Sequence, residues 1–108
     1  MTKSKKDQLL AFYATTEGLH KINTVRTGLT NKTIESFPQI FATVRKSNLQ
    51  TLLGSEFYAF EKKVADPGRF TLNEIELMSS FFKIEFDIML RFVRKTMIVE
   101  QKRNRRKK

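Results

Sequence analysis

Cysteine is absent from the 108-residue chain, which excludes a disulfide scaffold and thiolate metal sites and fits a reducing compartment. Histidine occurs once, as His20, with no carboxylate cluster around it, so no metal site is expected. No apolar run is long enough to span a bilayer. The N-terminus has a basic start but only a short, broken apolar segment, which argues against a signal peptide and makes a cytoplasmic location the expectation. A glycine-rich phosphate loop, an acid–base pair and a nucleophile constellation are all missing, so neither an enzyme nor a cofactor is expected. Nor does any stretch of about 20 to 50 residues repeat.

What the chain does have is phenylalanine and positive charge, in different places. Nine of the ten Phe lie between Phe37 and Phe92, which puts the single modest core there. The formal net charge of +10 divides unevenly. Residues 1–34 carry +4, residues 35–99 only +1, and residues 100–108 the remaining +5. A basic total often signals nucleic-acid binding, but here it speaks first about the two ends.

Along the chain, residues 1–33 read as a polar N-terminal arm. Asp7 to Tyr13 can begin a short helix carrying Leu9, Leu10, Phe12 and Tyr13. The Thr- and Asn-rich stretch after it shows no sustained period, with strand pieces around Ile22–Val25 as an alternative. Ser36 and Gln39 have capping-box spacing, and Pro38 falls in the first turn, where its missing N–H has no intrahelical partner to lose. The helix they open carries Phe37, Ile40, Phe41 and Val44 on one face and ends at Arg45 and Lys46. Ser47 and Gln50 repeat the spacing for a short helix with Leu49, Leu52 and Leu53 inward, stopped by Gly54.

Glu56 to Ala65 follows at once, with Phe57, Phe60 and Val64 as the inward stripe, and Asp66-Pro67-Gly68 ends it. Thr71 and Glu74 form the clearest capping box in the chain. Their helix turns Leu72, Ile75, Met78, Ser79 and Phe82 to the core until Lys83-Ile84-Glu85 interrupts it. A last helix from about Phe86 to Gln101 has a core stripe of Phe86, Met89, Leu90, Val93 and Met97. Ile88, Phe92 and Val99 make a second apolar face. The residues beyond, 102–108, read as a disordered basic tail.

From Ile34 to about Leu90 the chain resembles the small Cro- and lambda-repressor-type helix-turn-helix proteins of bacteria and their phages. The resemblance rests on Ile40-Phe41, Lys46-Ser47, Leu49, Leu53-Gly54, Phe60, Lys62-Lys63, Pro67, Phe70-Thr71-Leu72, Glu74-Ile75 and Ile84. Spacing from Gly54 through Phe60 and Pro67 to Phe70-Thr71 is kept without a gap. Gln50 stands where the family usually has Ala, Glu56 replaces a small capping residue, and Ser79 and Ser80 fall in a normally apolar segment, so this would be a diverged member. The resemblance implies an all-α, compact helix-turn-helix domain of about five helices over residues 34–101. It also implies a sequence-specific DNA-binding regulator whose helix 56–65 enters the major groove.

Under that reading the outer positions Ser55, Glu56, Phe57, Tyr58, Glu61 and Lys62 meet bases. Glu can accept from a cytosine amino group, and an exposed aromatic can touch a thymine methyl. Lys63 and Arg69 would join Lys62 on phosphates, and Lys102, Arg103, Arg105, Arg106, Lys107 and Lys108 would add a salt-sensitive attraction. Against it stands a structural third helix with a solvated face, since two acids there repel phosphate and no Arg, Gln or Asn is offered for bidentate reading. The Ile88, Phe92 and Val99 face suggests a homodimer, or else a seat for the N-terminal arm folding back. The other functional classes are a helical protein-interaction module and a basic RNA-associated protein that uses only its ends.

Overall fold

The computed structural model describes residues 4–106, with side chains through Arg103. Its described residues form seven α-helices and no strand: α1 (Lys5–Tyr13), α2 (Thr16–Thr30), α3 (Phe37–Phe41), α4 (Lys46–Leu53), α5 (Phe57–Ala65), α6 (Leu72–Phe82) and α7 (Phe86–Arg106), with a 3-10 turn at Pro67–Arg69. The all-α expectation holds, with more helices than the five or so anticipated. No described helix is long and apolar enough to cross a membrane.

The additional helical structure lies in the N-terminal arm, which is a helical hairpin rather than an irregular connection. Ser4 caps α1 by accepting from the Asp7 amide at 3.1 Å, and Thr15 caps α2 by accepting from the Gly18 amide at 3.2 Å. Where strand pieces were an alternative, Ile22 and Val25 instead lie on α2 in a buried stripe that runs Gly18, Ile22, Val25, Leu29. That is helical spacing, hidden among Thr and Asn of low helix propensity. Tertiary packing overrides the propensity: α1 packs on α2 and α4, and α2 on α6 and α7. Tyr13 is the clasp. Its buried ring meets Phe81 edge-on at 5.1 Å, and its hydroxyl accepts from Asn48 Nδ2 at 3.0 Å.

Several helix starts and stops fall where the residues ask for them. Ser36 precedes α3, and its amide donates to Gln39 Oε1 at 3.2 Å. Thr71 and Glu74 exchange both capping hydrogen bonds, at 2.9 and 3.1 Å. Gly54 closes α4 in the left-handed conformation at φ 63°, and Lys83 closes α6 the same way at φ 57°. Two boundaries differ from the sequence reading. Helix α3 stops at Phe41, so Arg45 and Lys46 do not end it; Arg45 is the first flanking residue of α4. Ser47 therefore lies inside α4 and cannot cap it, and the Gln50 amide instead donates to the Ser55 carbonyl at 3.2 Å.

The core gathers Phe37, Ile40, Val44, Leu49, Phe60, Ile75, Met78, Phe82, Met89 and Val93 together with Leu9, Tyr13, Val25 and Leu29 from the arm. Phe37 ties the centre together, with ring centroids 5.2 Å from both Phe70 and Phe92. Leu72 is a correction: it is 67% exposed rather than turned inward. The proposed dimer face is another, because Phe92 is only 6% exposed and already occupied within the chain. The Phe37 ring meets it edge-on, Leu29 and Ile34 line a cleft with it, Ile88 is half-buried, and only Val99 of the three is open. The arm thus takes the role of cover, through α2 rather than through Leu9 and Tyr13. Helix α7 also continues to Arg106, so the segment expected to be disordered from residue 102 begins as helix.

Candidate nucleic-acid interface

Helices α4 and α5 are joined through Gly54-Ser55-Glu56. The left-handed Gly54 reverses the chain without a Cβ penalty, which a substitution there would incur even though open space surrounds it. The turn is tied twice, by the Ser55 amide donating to the Gln50 carbonyl at 3.2 Å and by the Gln50 side chain on the Ser55 carbonyl. Gln50 thus holds the turn that sets the start of α5. Glu56 flanks the helix without a capping hydrogen bond from its side chain.

Helix α5 has one buried side chain, Phe60, with Val64 half-buried one turn on. Phe57, expected on the inward stripe, is instead 56% exposed, and Tyr58 is 77% exposed. Their rings meet edge-on at 5.3 Å, forming an aromatic pair in solvent. Glu56, Ala59 and Lys62 are exposed beside them, and Ser55 is half-buried in the turn. Glu56, Phe57, Tyr58 and Lys62, four of the positions picked from sequence, are thus exposed on or beside α5, but not all of the picked residues are free. Glu61 is held by Lys46, whose ammonium also lies 5.9 Å from the Phe41 ring centroid. Arg69 pairs with Asp66 at 3.2 Å, and Lys63 with Glu74 at 2.5 Å. Lys46 gave no signal of this bracing role in the sequence beyond lying within reach of a nearby acid.

No known protein family, curated protein or solved structure matches the chain.

The Lys63–Glu74 pair fastens α5 to the first turn of α6. Burial alone would raise the Glu74 pKa, but hydrogen bonds from Lys63 and Thr71 and the Lys63 charge together bring it below the ordinary value of 4.5. A carboxylate favoured in the folded state contributes stability above its unfolded pKa and loses it as pH falls through the lowered folded value. Glu74→Gln keeps a residue that can complete the capping box while removing the charge opposite Lys63. The expected cost is about 1–2 kcal/mol at neutral pH. The difference from the parent protein should shrink as pH falls below the ordinary carboxylate range and the folded protein's Glu74 takes up its proton. Urea unfolding of both proteins across pH 3–7 checks this, and a pH-independent difference would assign the effect to packing.

The basic segment is placed only in part. Lys102 and Arg103 are exposed on α7, and Arg103 lies 3.6 Å from Glu100. Arg105 and Arg106 belong to the helix backbone, whereas their side chains, with Lys107 and Lys108, lie outside the described residues.

Proposed function

We propose that the protein is a sequence-specific DNA-binding regulator in which α5 enters the major groove and the basic terminal segments meet phosphates. The observation that carries this reading is the outer face of α5. Glu56, Phe57, Tyr58 and Lys62 are exposed together on a helix set by a left-handed glycine turn and anchored from behind by Phe60. A helix carried on a fixed turn, with its apolar anchor on one side and mixed aromatic and charged groups on the other, suits insertion between phosphate walls. Phe57 and Tyr58 offer apolar surface to thymine methyls, Glu56 an acceptor for a cytosine amino group, and Lys62 a phosphate contact.

Selection of bound sequences from a random duplex pool, at near-physiological salt, tests the reading. The parent protein is expected to enrich a defined sequence. Tyr58→Ala combined with Lys62→Ala should lose that preference and weaken specific binding by about 10- to 100-fold, at about 1–3 kcal/mol for each base contact removed. Because both side chains are exposed, the helical signal should be unchanged. Unaltered sequence preference in the double variant would sink the proposal.

A second reading, a helical protein-interaction module, has its own observation. The exposed Phe57–Tyr58 pair between two carboxylates, Glu56 and Glu61, resembles an aromatic anchor set at an interface more than a phosphate-facing surface. A parent protein that enriches no sequence from the pool would favour it.

A further inference from the structure

The outer side of α7 carries charge that the α5 site does not use. Between Ile88 and Val99 this helix contains no acid, but it contains Arg91, Arg94 and Lys95, all exposed. At 100° per residue, Arg91, Lys95 and Lys102 fall within about 40° of one another, with Arg94 on the flank. The core residues Met89 and Val93 point to the opposite side. With a rise of 1.5 Å per residue, Arg91 and Lys102 stand about 16 Å apart along one rigid helix. Helix α2 adds to the row. Lys32, held just past its end in the left-handed conformation at φ 63°, lines a cleft of about 140 Å³ together with Arg91 and Lys95.

Among the described residues none of these cations is held in an ion pair, although the exposed Asp87 lies one turn before Arg91. The ion pairs among the described residues involve Lys46, Lys63, Arg69 and Arg103. Lys32, Arg91, Arg94, Lys95 and Lys102 take part in none of them. The self-repulsion of such a row disfavours a second copy of the chain on the same face, and the exposed Ile98 is too little apolar surface to offset it. A regularly spaced polyanion fits it.

We infer that the outer face of α7, with Lys32 of the α2–α7 cleft, is a second docking surface that takes the phosphodiester backbone of double-stranded DNA without reading sequence. Lys102, the first cation of the basic C-terminal segment, then belongs to the same helical stripe as Arg91 and Lys95. The inference shares with the α5 reading only the identity of the polymer. Cations fixed on a helix displace counterions from successive phosphates, so each contact adds about −0.9 to the slope of log K against log salt concentration.

The test compares two variants of equal charge. In one, Arg91→Gln and Lys95→Gln remove two stripe cations; in the other, Arg45→Gln and Lys83→Asn remove two exposed cations from the start of α4 and the end of α6. Binding to a fixed-sequence duplex of about 20 base pairs is measured between about 50 and 200 mM salt. The stripe variant is expected to flatten the slope by about two units and to bind roughly 10-fold or more weakly at about 0.1 M salt. The Arg45/Lys83 variant should stay close to the parent. Equal changes in both variants would reduce the effect to net charge and overturn the inference, as would an unchanged slope in the stripe variant or no duplex binding by the parent. Sequence selection from the random pool separates the two claims. Retained preference with an unchanged slope defeats the stripe alone, and a flattened slope in a protein that never had a preference defeats the α5 reading alone.

Discussion

Phe60→Ala is expected to destabilise the protein by about 3–5 kcal/mol, a large share of the roughly 5–15 kcal/mol that holds a domain folded. Phe60 is 1% exposed and is the only fully buried side chain of α5. Its ring lies 6.2 Å from Phe41 and 6.3 Å from Phe70, so it fastens α5 to both α3 and the segment leading into α6. Truncation leaves a cavity that the three elements cannot all close, since each is also fixed elsewhere. The loss should appear in denaturant unfolding as a lower midpoint with an unchanged slope. Phe60→Leu, which keeps most of the apolar filling, should lose less. A cost of Phe60→Ala below about 1 kcal/mol would mean that the Lys46–Glu61 and Lys63–Glu74 pairs, rather than the ring, hold α5 in place.

Gly18→Ala should be the second most damaging change, although the same substitution inside an ordinary helix stabilises by up to about 1 kcal/mol. A Cβ at this position would sit 2.3 Å from the Phe12 carbonyl oxygen and 2.4 Å from Tyr13 Cα. Both are backbone atoms of the α1–α2 corner, so no rotamer change relieves the clash. The corner must open, which draws Tyr13 away from Phe81 and from the Asn48 amide. A loss of about 2–3 kcal/mol is expected, or roughly 10 °C or more in melting temperature. Gly28→Ala is the natural control. There the nearest atoms belong to the Ile34 side chain at 2.5 Å, which can move. A stabilised Gly18→Ala would show that the corner is looser than the packing implies.

How much of this was legible in the sequence depends on what each residue had to reveal. Thr71 with Glu74 announces a helix start because both reciprocal hydrogen bonds are local, and Gly54 announces a stop because only its own backbone is involved. Phe57 and Leu72 face solvent, against their inward spacing, for one shared reason. Each is the first residue of its helix, and a helical side chain leans back over the preceding turn, so at that position it projects past the end of the packed surface. Helix α2 leaves little periodic signal because its buried side is built partly of Gly18 and Gly28, whose contribution is close approach rather than hydrophobicity. Phe92 was correctly placed on a second apolar face, but periodicity cannot say whether such a face meets another molecule or another part of the same chain. The outer positions of α5 follow from the resemblance, but which of them are free and which are ion-paired depends on contacts such as Lys46–Glu61 that join residues far apart in the chain.

The protein has two tyrosines and no tryptophan, and the fold puts the tyrosines at opposite tasks. Tyr13 is sealed in the clasp between the N-terminal hairpin and α4, hydrogen-bonded and packed on Phe81. Tyr58 stands in water on α5. The molecule therefore carries its own pair of optical probes with nothing brighter to mask them. Phenol emission from Tyr13 reports whether the hairpin is docked, and that from Tyr58 reports whether the outer face of α5 is covered. A single Tyr→Phe substitution at either position silences one signal and leaves the other.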